Sequence, residues 1–336
     1  MAGPAPARTW TAIGRARVPV AVLAYAVAAL LVAVRAGSPP ASSTSQAGAD
    51  AFLVAGLALM GVGALNLPTS RDRTVGLLAF AAGILWFATS STGIASGWPL
   101  FRSLGLVVAP MLVPLLVHLA CAASGQAARR SVRRTLVTLY ALAVFVSLAR
   151  PLVFDPANDT YCGGDCAMSA FLVRGINPTG AVVTIVGLLT VLAAGLFLVT
   201  WGTVTLARAS RPAQHVLWPI LIPGVALGIV LVAGAVTALT HPADVALQPP
   251  QAGLVLARSL AVTGMAAGIA WAFLAARRRT AAVRRLTTDL GAAPPPGTLE
   301  SALARALGDP GLRVAYWLPD ADTWVDSTGA WSRSRP

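Results

Sequence analysis

The chain has 336 residues, 56% of them hydrophobic and only 11% charged. A soluble globular domain is roughly 45–50% apolar and about 25% charged, so these proportions exclude an ordinary water-soluble domain. The formal net charge of +13 would suit a nucleic-acid surface, but its distribution along the chain assigns it to a membrane surface instead and makes no nucleic-acid partner necessary.

Eight apolar stretches are long enough to cross a bilayer: 18–34, 51–67, 74–94, 104–123, 135–154, 180–206, 216–240 and 253–275. Each comes close to the ~20 mostly apolar residues that a ~30 Å hydrocarbon layer asks of a helix. Arginine fills every second gap between them. With the N-terminus in the cytoplasm, that side carries Arg8, Arg15, Arg17, Arg71, Arg73, Arg129, Arg130, Arg133, Arg134, Arg208, Arg211, Arg277, Arg278, Arg279, Arg284 and Arg285. The other side and the outer helix ends carry Arg35, Arg102, Arg150, Arg174 and Arg258. Positive charge in short loops stays cytoplasmic, so sixteen arginines against five predict eight helices with both termini inside, in the cell membrane. The chain contains no lysine, a bias that matches a GC-rich bacterial genome and says nothing of function.

The first stretch also reads as a signal peptide, with basic residues before it and small ones after it; the alternation treats it as one uncleaved helix among eight. Residues 36–50 form a polar, Pro- and Ser-rich outer loop. All twelve acidic residues, Asp50 among them, fall in predicted loops or the tail. A charge at the bilayer centre costs ~2.5 kcal/mol or more and is kept only for a task, so this argues against a proton- or cation-coupled transporter.

Pro110 and Pro114 in the fourth stretch, and Pro219 and Pro223 in the seventh, recur at i, i+4. Each removes a backbone donor and bends its helix, as a hinge or simply as a shape. His118 reads as a hydrogen-bonded packing residue rather than a metal ligand, because no second ligand stands one turn away. Cys121 reads as a buried apolar filler. The longest outer loop, 155–179, holds Cys162 and Cys166 with Gly163 and Gly164 between them. On an oxidising side that spacing permits a small disulfide-closed loop; a redox-sensing pair or a metal site are the alternatives.

Arg258 is the one basic residue set more than a turn inside an apolar stretch. It either snorkels to the outer interface or contacts a ligand. Gly264 and Gly268 make a G-x-x-x-G face, as do Gly224 and Gly228, and such faces build helix pairs and dimers.

After the last stretch the composition changes. Residues 277–290 continue as a basic helix with Val283, Leu286 and Leu290 on one apolar face. It either pairs with a copy of itself or lies on the membrane surface. Residues 294–297 (PPPG) are a break, 298–309 (TLESALARALGD) read as a short helix, and 312–318 and 323–326 as two strands joined by 319–322. One helix and one hairpin cannot bury an ordinary core, so this tail reads as the start of a domain whose remainder is missing. The fold class is therefore an all-α polytopic membrane protein with a short α+β tail, divided as 1–276 (transmembrane), 277–297 (signalling helix and linker) and 298–336 (incomplete domain).

Three stretches resemble the N-terminal half of actinobacterial polytopic sensor histidine kinases. VHLACAASG at 117–125 is similar to the H-L-x-L-A-F-P-S-G-R segment that ends a membrane helix there, with Ala122 and Ala123 where Phe-Pro is usual and Gln126 where arginine is usual. The loop with Cys162 and Cys166 is similar to their cysteine-containing outer loop. VRRLTTDLG at 283–291, then 294–299, LARALGDP at 303–310 and 312–319 resemble the entry into a GAF-like sensor domain. The resemblance implies a homodimeric membrane input module of a two-component system. Its kinase core would be downstream or separately encoded and would act on a response regulator. No acceptor histidine on a soluble helix and no ATP lid are present in the sequence, so the fragment itself is expected to be catalytically silent and to hold no cofactor. The rival reading is a small permease or lipid-handling membrane protein.

Overall fold

The structure is a computed structural model of the chain. The structure describes residues 46–67, 73–89, 99–153, 171, 177–240, 249–290, 300–301, 304, 312–318 and 323–325. The first predicted stretch and the loop with Cys162 and Cys166 lie outside them. The chain divides into two compact units, Met1–Ala270 and Trp271–Pro336.

The described part of the first unit is helical almost throughout. Helix α1 is Gln46–Asn66, α2 is Arg73–Ala88, α3 is Pro99–Val108, and a 3-10 turn at Ala109–Met111 leads into α4, Leu112–Ala123. Helices α5 (Arg130–Val153), α6 (Asn177–Arg208), α7 (Arg211–Thr240) and α8 (Pro249–Leu290) follow. Six spans among the described residues are long and apolar enough to cross a membrane, and α2 is a shorter apolar helix. Apolar side chains cover their outward faces as well as their inward ones. Val137 and Leu148 on α5 are each 61% exposed, where a water-soluble helix would carry charge. That is the makeup of a multi-pass membrane protein. The predicted count of eight does not follow from the described helices.

Two boundaries differ from the sequence reading. Asp50, expected in a loop, lies in α1, because Gln46–Asp50 extend the helix by a further turn of residues that a helix tolerates. The fourth stretch, expected as one helix from 104 to 123, begins at Pro99 and changes to 3-10 geometry at Ala109–Met111. Pro110 lacks the N–H that an α-helical bond to residue 106 would need, and the tighter turn accommodates the loss. In α7, by contrast, Pro219 and Pro223 sit inside one continuous helix.

Backbone bonds fix one connection and a side-chain cap helps fix another. Helix α4 ends where Gly125 turns left-handed at φ 72°, with Gly125 N–H donating to Ala122 O (3.0 Å) and Gln126 N–H to Cys121 O (2.9 Å). This is a Schellman ending, and glycine adopts it without steric cost. Between α6 and α7 the chain turns in two residues. There the Gln214 Nε2 donates back to Leu206 O at 3.1 Å, satisfying a terminal carbonyl.

Lipid tails are as apolar as leucine, so helix association relies on close packing and small residues. Helices α6 and α7 cross at Gly195 and Gly228. A Cβ on either would stand 2.8 Å from the other's carbonyl oxygen. Helices α1 and α2 pack through Gly56 against the Phe87 ring and Gly63 against the Phe80 backbone. Several threonine hydroxyls in the spans close on their own helices. Thr184, Thr190, Thr203, Thr237 and Thr263 donate to carbonyls four residues back at 2.7–3.0 Å.

In the second unit, Arg277 lies over the Phe273 ring one turn back, 4.3 Å from its centroid. Strands β1 (Tyr316–Leu318) and β2 (Thr323–Val325) pair antiparallel in the register Tyr316–Val325, Trp317–Trp324 and Leu318–Thr323. The predicted hairpin is present, with Trp317 and Trp324 facing each other across it at 5.2 Å between centroids. Of the predicted helix at 298–309, residues 300, 301 and 304 are described, and they are helical.

Candidate functional site: a guanidinium on an aromatic cluster

The densest chemistry in the first unit lies where α1 begins, α2 ends and α8 begins, away from the arginine-bearing ends of these helices. Trp86, 1% exposed, occupies the last turn of α2. Its indole Nε1 donates to Phe52 O at 2.9 Å. The Phe52 ring stacks on it with centroids 5.0 Å apart and meets Phe87 edge-on at 6.0 Å. An indole buried in apolar surroundings needs an acceptor for its N–H, and the Phe52 carbonyl supplies it. These contacts fix the ring.

Onto the Trp86 ring α8 delivers Arg258, with Cζ 4.9 Å from the ring centroid. The negative face of the ring attracts the cation, by about 0.5–2 kcal/mol depending on desolvation. A cation inside a bilayer costs roughly 2.5–3.5 kcal/mol or more. The ring alone therefore does not balance the charge. The Nε of Arg258 is buried with no acceptor. The neighbouring Ser259 hydroxyl is fully buried and also without a partner.

The other residues singled out in the sequence are scattered. His118 Nδ1 stands 3.3 Å from the Tyr140 hydroxyl, the two rings edge-to-face at 6.0 Å, so it joins α4 to α5 as a hydrogen-bonded packing pair. No cluster of three or more His, Cys, Asp or Glu able to hold a metal occurs among the described residues. Cys121 is a buried free thiol. Gly264 faces the Pro223 ring, where a Cβ would stand 3.2 Å away, and Gly268 lies directly against the Pro219 carbonyl. Both glycines are thus taken up by contacts with α7 inside the chain. Val283, Leu286 and Leu290 lie in α8, but their side chains fall outside the described residues.

Sequence reasoning missed Trp86 and Tyr140, the partners of two residues that it did single out. An aromatic at a span end, level with an intramembrane arginine, was the signal available. No family model, curated protein or solved structure matches the chain.

Proposed function

We propose that this chain is the membrane input and signal-relay module of a two-component sensor histidine kinase, catalytically silent itself. In this reading both termini are cytoplasmic, the chain is a homodimer, and a kinase core downstream or on a separate chain receives the signal. One observation carries the proposal: α8 is a single helix of 42 residues, running from an apolar span into the arginine-dense segment without a break. At 1.5 Å per residue this is about 63 Å of helix, roughly twice what the hydrocarbon layer needs. A helix that meets Trp86 at Arg258 and continues to Leu290 is suited to carry a change of packing out of the bilayer. Two further features support relay over transport. The span threonines spend their donors on their own backbones. The interlocking of Gly264 and Gly268 with Pro223 and Pro219 gives α8 a close-fitting seat on α7. A ligand shifts such a seat only by its differential affinity for two arrangements.

The test is disulfide crosslinking in native membranes of single cysteines at positions 283 to 290, introduced after Cys121, Cys162 and Cys166 are replaced by serine. A dimer seam predicts strong crosslinks at 283, 286 and 290 and weak ones between. Absent or uniform crosslinking at these positions sinks the relay proposal.

A further inference from the structure

The Nε of Arg258 is buried without an acceptor, while the residue as a whole keeps part of its surface open, and its surroundings state what the guanidinium would take. The Trp86 ring covers the guanidinium and is itself held by the Nε1–Phe52 bond and the Phe52 stack, so the fork is pre-oriented. Its buried Nε finds no acceptor. The residue sits five positions into the apolar span that begins at Gly253. That places its Cα about 7.5 Å along the helix from the start of the span. An extended arginine reaches from that depth to the level of the lipid headgroups. The group available at that level with two acceptors in one plane is a phosphate, which a guanidinium binds with two parallel N–H···O bonds.

We propose that Arg258, positioned by Trp86, binds the phosphate of an anionic phospholipid. A zwitterionic headgroup carries its own ammonium, which competes for the phosphate, so a net-negative lipid is preferred. This deepens the proposed function by naming the ligand class at the start of α8, and it rests on that reading only for its signalling consequence.

The experiment uses the full chain, purified in detergent, delipidated and titrated with phosphatidylglycerol or phosphatidylcholine while bound lipid is counted by native mass spectrometry. The wild type binds its first phosphatidylglycerol more tightly than Arg258→Gln by at least about tenfold, the scale of one hydrogen bond between charged groups. Phosphatidylcholine binds both alike. Arg258→Lys, which keeps the charge but loses the fork, falls between them and serves as the test should Arg258→Gln fail to fold. Millimolar inorganic phosphate separates the two sources of the group. Without displacement of the lipid, the whole headgroup is the ligand; displacement from the wild type alone supports the same oxyanion site with free phosphate as a second occupant. Equal phosphatidylglycerol affinity in wild type, Arg258→Gln and Arg258→Lys overturns the site. Lipid discrimination without a crosslinked seam at 283–290 leaves the site standing and removes the relay, and the reverse result does the opposite.

Discussion

The α1–α2 pair and the α6–α7 pair solve the same problem, two apolar helices side by side, with different atoms. In α6–α7 the backbones themselves touch, Gly195 against Gly228, with each carbonyl filling the space of the other's missing side chain. In α1–α2 Gly63 also lies against the Phe80 backbone, but Gly56 and Gly83 receive side chains, the Phe87 ring and the flexible Met60. A backbone contact can yield only if a helix moves, whereas a ring or thioether can rotate aside. The Gly195–Gly228 contact is therefore stiffer than those at Gly56 and Gly83. The α1–α2 pair, with these more yielding contacts, carries the aromatic cluster on which Arg258 of α8 lies.

Breaking the cluster should have the largest effect. Trp86→Ala removes a buried indole and leaves the Phe52 stack unsupported. A loss of about 3–5 kcal/mol is expected, read as a clear fall in the melting temperature of the detergent-solubilised protein. A melt within a degree of wild type would mean that the ring is not a core element. Next come the paired glycine substitutions. Gly228→Ala drives a Cβ into the Gly195 carbonyl and should cost about 1–3 kcal/mol, as overpacking does. Gly56→Ala asks the Phe87 side chain to swing away about χ1, at about 0.5–1.5 kcal/mol. Thermal melts giving the reverse order would undo the contrast between the pairs. The smallest effects have the opposite sign. Gly224 has open space where a Cβ would go, so Gly224→Ala should gain about 0.5–1 kcal/mol from the lower backbone entropy of alanine. Ser259→Ala removes a buried hydroxyl that bonds to nothing among the described residues, and should leave the melt unchanged or raised.

Much of this architecture is legible in the chain, because the length and apolarity of a span follow directly from the thickness of the bilayer. The helices α5 to α8 fall where the stretches 135–154, 180–206, 216–240 and 253–275 predict them. What sequence does not reveal is which faces mate. The proline pair at 219 and 223 and the glycine pair at 264 and 268 each stand out at i, i+4. Yet only the structure shows them meeting in antiparallel register, Gly264 on Pro223 and Gly268 on Pro219. The physical link is specific. Pro223 has no N–H to offer the Pro219 carbonyl, so that oxygen lacks its helical partner and the α8 backbone can approach it only at glycine. The Arg258–Trp86 contact was hidden for a similar reason: the residues lie on helices far apart in sequence, and depth in the membrane was the one coordinate they visibly shared.

The turn after α4 has a consequence for how the protein inserts. Its shape comes from the left-handed Gly125 and main-chain bonds, including Arg129 N–H to Gln126 O at 3.1 Å. Arg129, Arg130, Arg133 and Arg134 stand exposed around it. Those four side chains can therefore be neutralised without disturbing the corner. In this segment the charge on which a positive-inside bias would act is carried by one set of atoms, and the contacts that fold the helix end by another. Topology and folding can thus be engineered independently here, with Gly125 as the residue to leave untouched.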